Sequence, residues 1–195
     1  MTFSFVINSF ILGIGLAMDA FSVSLVNGLR EPFMSKKRAC AIAGVYAFFQ
    51  YAMPLTGWIC VHSIVELFAS FRVFIPWIAL LLLSYIGGKM IVEAIREHGK
   101  NAEKTELAPL SVRLLVIQGI ATSIDALSTG FTISGYGFGM ANAASLIIAA
   151  VTFVICICGL EIGRKAGLHL SGKASLLGGI ILISIGIEIF IKGTL

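Results

Sequence analysis

The side chains best placed to do chemistry in this sequence are two aspartates. Asp19 lies in Gly13-Ile14-Gly15-Leu16-Ala17-Met18-Asp19-Ala20-Phe21-Ser22, and Asp125 lies in Gly119-Ile120-Ala121-Thr122-Ser123-Ile124-Asp125-Ala126-Leu127-Ser128. A step of 106 residues overlays the two stretches, Gly on Gly, Ile on Ile, Asp on Asp, Ala on Ala and Ser on Ser. Each acid sits near the middle of a long apolar run. A carboxylate at that depth in a bilayer costs roughly 2.5–3.5 kcal/mol for insertion alone. A chain that carries this cost twice, at matching places, is expected to use the two acids together.

The neighbouring residue types suggest what for. On a helix, Ser22 lies one turn beyond Asp19, and Thr122 and Ser128 lie one turn to either side of Asp125. Gln50, in a second apolar run, adds an amide oxygen. Two carboxylates with hydroxyl, amide and backbone oxygens form a hard-cation site of the Mg, Ca or Mn type. Asp19, Asp125, Ser22, Ser128, Gln50 and Thr122 are therefore the candidate metal ligands. Without a cation, two close acids do not both ionise cheaply, so one would hold a proton. That offers a way to exchange protons for a divalent ion. Other roles stay open for the neutral groups. The hydroxyls could bond back to the preceding turn, Gln50 could link helices, and Asn27 could serve a helix end. Met18 reads as apolar filling or as a soft ligand. Glu188 reads as an exit-path or interfacial group.

The elements that position these groups follow from composition. The chain has 195 residues, 58% of them hydrophobic and 12% charged. That balance lies outside soluble domains and indicates a polytopic membrane protein embedded in a lipid bilayer. The net charge of +4 reads as loop asymmetry, not as a nucleic-acid surface. Cys40, Cys60, Cys156 and Cys158 read as small hydrophobes. His62, His98 and His169 form no cluster. No phosphate-binding loop, dinucleotide fingerprint or zinc-protease motif occurs, so neither a cofactor nor an enzymatic reaction is expected.

Six runs are long enough to cross a hydrocarbon layer of about 30 Å. They lie near 3–26, 39–62, 73–95, 112–134, 140–161 and 174–192. A polar linker, 96–111, separates a first three-helix repeat, 1–95, from a second, 112–195. Pro54, four residues after Gln50, is expected to kink the second run. Eleven of the 14 Lys and Arg residues fall on the first, third and fifth loops: Arg30, Lys36, Lys37, Arg38, Arg96, Lys100, Lys104, Arg113, Arg164, Lys165 and Lys173. The positive-inside bias puts those loops in the cytoplasm and both termini outside. Three spans per half is an odd number, so the halves are inverted relative to one another. Inverted repeats with a site between them near the midplane are a transporter architecture. The expected fold is thus an all-α membrane protein of six transmembrane helices in two inverted three-helix repeats.

Several motifs together carry a resemblance. Met18-Asp19-Ala20-Phe21, Pro54-Leu55-Thr56-Gly57-Trp58, Ile86-Gly87-Gly88-Lys89-Met90-Ile91 and Ala121-Thr122-Ser123-Ile124-Asp125-Ala126 resemble the MntP family of manganese efflux pumps, in order and over nearly the whole chain. The resemblance implies six helices in two related halves, a bacterial plasma membrane and export of Mn²⁺ as the transported substrate. It also implies that Asp19 and Asp125 are the functional acids. Some members carry Glu where this chain has Gln50. Rival readings are an exporter or channel for another divalent cation, and an intramembrane aspartyl protease. The protease would need a Gly-x-Gly-Asp-like segment, whereas Asp125 follows Thr122-Ser123-Ile124. The sequence leaves the oligomeric state open.

Overall fold

The computed structural model describes residues 3–63, 75–98, 110–169 and 174–194. These residues form helices and short turns, with no strand among them. We number the helices α1 (Phe3–Arg30), α2 (Lys36–Ser63), α3 (Ile75–His98), α4 (Val112–Thr122), α5 (Ile124–Thr132), α6 (Phe138–His169) and α7 (Ala174–Thr194). Helix is the natural outcome for such apolar segments, because it satisfies every interior N–H and C=O without water.

Four paths are long and apolar enough to cross a membrane: Phe3–Arg30, Lys36–Val61, Val112–Thr132 and Phe138–Gly167, with a shorter apolar helix over Leu176–Ile185. α3 and α7 are unbroken helices of 24 and 21 residues, about 36 and 31 Å long at 1.5 Å per residue. Most of the polar linker, 96–111, lies outside the described residues. Its end is ordered by Ser111, whose Oγ accepts from Leu114 N at 3.2 Å and caps α4. Ser35 does the same for α2, accepting from Arg38 N at 3.3 Å.

Pro54 lies inside α2, which continues past it. One expectation about the helices changes. The fourth run, expected as one helix over 112–134, is instead two helices divided at Ser123, which has φ −116° and ψ 9°. The cause is local. Thr122 Oγ1 donates to Gln118 O at 2.9 Å, and Ser123 Oγ donates to Gly119 O at 2.7 Å. Adjacent hydroxyls competing for carbonyls of the preceding turn loosen the ladder there.

Among the described residues, the most extensive helix contacts join the two halves: α1 on α6, α3 on α7, and α2 on both α6 and α5. Glycines allow the close approaches. A Cβ at Gly28 would collide with Leu160 O and one at Gly163 with Leu25 O, while Gly13 faces Ile148 and Val151. These pairings rise together in number, so α1 and α6 run parallel. On the other side, Gly57 meets Leu127 and Gly130, and Gly119 meets Phe49, so α2 runs parallel to α4 and α5. Gly87 and Gly179 meet where α3 crosses α7. The buried cluster of Val23, Val26, Ile42, Tyr46, Leu83, Leu160 and Leu182 fills the space between these helices.

Candidate cation site

Gln50 is the hinge of the site. It is fully buried on α2. Its Nε2 donates to Leu16 O at 3.0 Å and to Thr122 O at 3.2 Å. Two carbonyls can be met only by the NH₂ end of the amide, so the chemistry fixes which way the group points. Leu16 lies one turn before Asp19, and Thr122 lies one turn before Asp125. The same step of 106 residues relates the two carbonyls as relates the two acids. A single side chain thus ties together the equivalent turns of both halves. Its Oε1, pointing away from them, is buried without a hydrogen bond.

Thr122 O lies at the break at Ser123, whereas Leu16 O lies in continuous α1; a carbonyl has two lone pairs, so both accept from Gln50. A helix end leaves its last carbonyls unpaired, and a helix start leaves its first N–H groups unpaired. Gln50 takes the carbonyl of Thr122. The N–H of Ala126, in the first turn of α5, donates to Asp125 Oδ1 at 2.8 Å. Asp125 therefore sits where the α5 backbone dipole favours negative charge. It is exposed, whereas Asp19 is half-buried in continuous α1. Leu16, Ala126 and Ile148, with Met53, form a small apolar cluster where α1, α5, α6 and α2 converge beside the two acids.

The other expected ligands flank the two acids in sequence. Ser22 Oγ donates to Met18 O at 3.0 Å, and Thr122 Oγ1 bonds back as described, so both hydroxyl protons are committed. Ser128 is half-buried on α5. Met18 is exposed. Among the described residues, no group of three or more His, Cys, Asp or Glu is placed to hold a metal. Any ion held here would complete its shell with neutral oxygens.

The two ends of the bundle differ. At one end, a buried triad links three helices. Asn27 Nδ2 donates to Tyr46 Oη at 2.6 Å and to Gln118 Oε1 at 3.0 Å, and Tyr46 Oη donates to Gln118 Oε1 at 2.9 Å. Beyond it, Arg38 pairs with Glu31 at 2.5 Å and donates to Leu110 O at 2.9 Å, and Leu110 N donates to Glu31. Arg164 reaches Pro32 O at 3.4 Å. Described residues of the first loop thus meet the end of the linker at Leu110 and the end of α6 at Arg164; Lys100, Lys104 and Lys173 lie outside the described residues. The opposite end is aromatic: Trp58 Nε1 donates to Tyr136 O at 2.9 Å, and Trp58 and Phe5 stack edge-on against Phe138 and Tyr136. Such rings suit a membrane interface. Asn27, which could have served only a helix end, is instead part of the buried lock. Cys156 is buried and Cys60 half-buried, whereas Cys40 and Cys158 face outward.

The chain is similar to known proteins over nearly its whole length. Residues 33–190 match the family model Mntp, "Putative manganese efflux pump". A "Putative manganese efflux pump MntP" of Clostridium botulinum (strain Loch Maree / Type A3) is 41% identical over 192 residues, 94% of this chain and 93% of the relative. One of Clostridium perfringens (strain 13 / Type A) is 38% identical over 203 residues, with 93% and 92% covered. One of Rippkaea orientalis is 40% identical over 187 residues, with 96% of each covered. No solved structure matches.

Proposed function

Because this chain belongs to the Mntp family, a family of transporters and not of enzymes, we propose that it exports Mn²⁺ across the bacterial plasma membrane by alternating access, in exchange for protons. The observation that carries this reading is Gln50, whose one amide holds the carbonyls of Leu16 and Thr122 one turn before Asp19 and Asp125. The two acids share a single ion between the first and fourth spans, and Gln50 Oε1 is a neutral ligand. Ser22, Ser128 and Thr122 flank the acids; the committed protons of Ser22 and Thr122 leave lone pairs as their offering to the ion.

The proposal includes six spans in two inverted repeats, 1–95 and 112–195, joined by a cytoplasmic linker at 96–111. Three contacts support inversion. α1 lies parallel to α6, and its counterpart α4–α5 lies parallel to α2. The counterparts themselves oppose one another, since Asn27 meets Gln118 and Glu31 meets Leu110. A two-fold axis in the membrane plane relates helices in this way. The basic end lies in the cytoplasm, which places both termini outside.

Purified protein in liposomes tests the activity. Mn²⁺ should accumulate when a proton gradient is imposed, and Mn²⁺ addition should in turn collapse that gradient. Mn²⁺ binding should weaken as pH falls, because protons compete for the same carboxylate oxygens. Flux indifferent to the gradient would indicate a channel, and no Mn²⁺ movement would remove the reading.

A further inference from the structure

We propose that Thr152 supplies a further oxygen to the ion, as the counterpart on α6 of Gln50 on α2. The inference rests on the shared-ion reading above and deepens it.

The first argument is register. Gly57 of α2 lies against Leu127 and Gly130, and Gly159 of α6 lies against Phe21 and Ser24. Phe21 and Leu127 are related by the step of 106 residues that relates the two acids, and so are Ser24 and Gly130. Gly57 and Gly159 are therefore equivalent, which sets a step of 102 between α2 and α6. In that register Ala39, Ala41 and Ala47 fall on Ala141, Ala143 and Ala149. Gln50 falls on Thr152.

The second argument is hydrogen bonding. Thr152 is fully buried, and its Oγ1 has no hydrogen-bond partner. Among the described residues, Ser24 Oγ is likewise buried without a partner, but several other helical hydroxyls behave differently. Ser22, Thr56, Thr122, Ser145 and Ser184 each donate to the carbonyl four residues back, at 2.8–3.0 Å. That bond is open to any threonine in a helix, yet Thr152 does not make it. Buried oxygens without partners are uncommon and call for a reason, such as an ion. Of the three such side-chain oxygens among the described residues, Ser24 Oγ, Gln50 Oε1 and Thr152 Oγ1, the last two stand at equivalent positions of facing helices, which gives that reason for them: both are held for the same guest.

The third argument is placement. Ile148, one turn before Thr152 on the same helix face, joins the cluster of Leu16 and Ala126 beside the acids. Val151 lies against Gly13. The Thr152 turn thus lies along α1 between Gly13 and Phe21, the stretch that carries Asp19. With Asp19, Asp125 and Gln50, it makes an all-oxygen set for a divalent cation.

The test is Mn²⁺ transport in liposomes by Thr152→Val, which keeps the shape and removes the oxygen, and by Thr152→Ser, which keeps the oxygen. We expect Val to raise the KM for Mn²⁺ by about tenfold or more, at least the scale of losing an outer-shell partner of a metal site, with a smaller change in kcat, and Ser to stay within about threefold of wild type. Thermal unfolding of the Val variant should be unchanged or shifted upward, since a methyl replaces an unsatisfied oxygen. A wild-type KM in Thr152→Val would overturn the assignment. So would a lowered melting temperature with equal loss in Val and Ser, which marks a packing residue. Asp19→Asn, run alongside, separates the two levels. If it is inactive while Thr152→Val is normal, only the Thr152 assignment fails; if it transports normally, the shared-ion reading fails first.

Discussion

Around Asp19 the backbone of α1 is continuous from Phe3 to Arg30, whereas around Asp125 it stops at Thr122 and restarts at Ile124. The two stretches share Gly, Ile, Asp, Ala and Ser at matching places and differ just before the acid. Leu16-Ala17-Met18 has no hydroxyl; Thr122-Ser123-Ile124 has two, and both bond into the preceding turn. The consequence extends beyond local shape. The break sets Asp125 at a helix start, where negative charge is favoured. Asp19 lies in the middle of α1, away from any helix start. The comparison teaches that two equivalent acids can be given unequal electrostatic settings by two hydroxyls.

The largest effect expected comes from the acids themselves. Asp19→Asn and Asp125→Asn should each reduce Mn²⁺ export to background in vesicles, a loss beyond the roughly 10–100-fold typical of an outer-shell partner. Membrane insertion should be normal in both. The double variant should be no worse than either single, because residues acting as one unit are not additive. Robust export by either variant would end the equivalence.

A second variant breaks the comparison from the other side. Thr122→Leu with Ser123→Ala gives the second stretch the pattern of the first. The helix should close, removing the helix start from Asp125. We expect export to fall by about tenfold, the scale of disturbing a ligand's support, with no loss of thermal stability. Unchanged export would show that the break is incidental.

Gln50 should come next. Gln50→Leu should weaken Mn²⁺ affinity and also lose about 0.6–1.7 kcal/mol of stability per interhelical bond removed. Gln50→Glu should retain binding and alter its pH dependence. Unchanged affinity in both would make Gln50 a packing residue.

The smallest effects lie outside the proposed ligand set. Tyr46→Phe removes hydrogen bonds at the basic end and should cost about 0.6–1.7 kcal/mol in unfolding experiments, with the KM for Mn²⁺ unaltered.

Much of the scaffold was legible in the sequence because it rests on strong, long-range signals. Long apolar runs dictate helices in lipid, and a repeated Asp in such runs is costly enough to mark itself. Gln50 beside Pro54 also stood out as a polar group in an apolar run. Three features were not legible, each for a physical reason. The break at Ser123 depends on where two hydroxyl protons go, and helix interiors tolerate Ser and Thr either way. The lock of Asn27, Tyr46 and Gln118 joins residues up to 91 apart in the chain, so no local spacing reveals it. Thr152 is a single hydroxyl in the run Ala149-Ala150-Val151-Thr152-Phe153-Val154. Only the helix-on-helix contacts, which set the step of 102, bring it opposite Gln50.

The central claim is that Asp19 and Asp125 hold one ion between them, and the stoichiometry of Mn²⁺ binding tests it most directly. Mn²⁺ bound to purified protein can be counted by the loss of its free-ion electron paramagnetic resonance signal. Wild type should bind one Mn²⁺ per chain at this site, and Asp19→Asn and Asp125→Asn should each abolish that binding completely. Two ions bound by wild type, with one retained by each Asn variant, would show two independent sites and contradict the account.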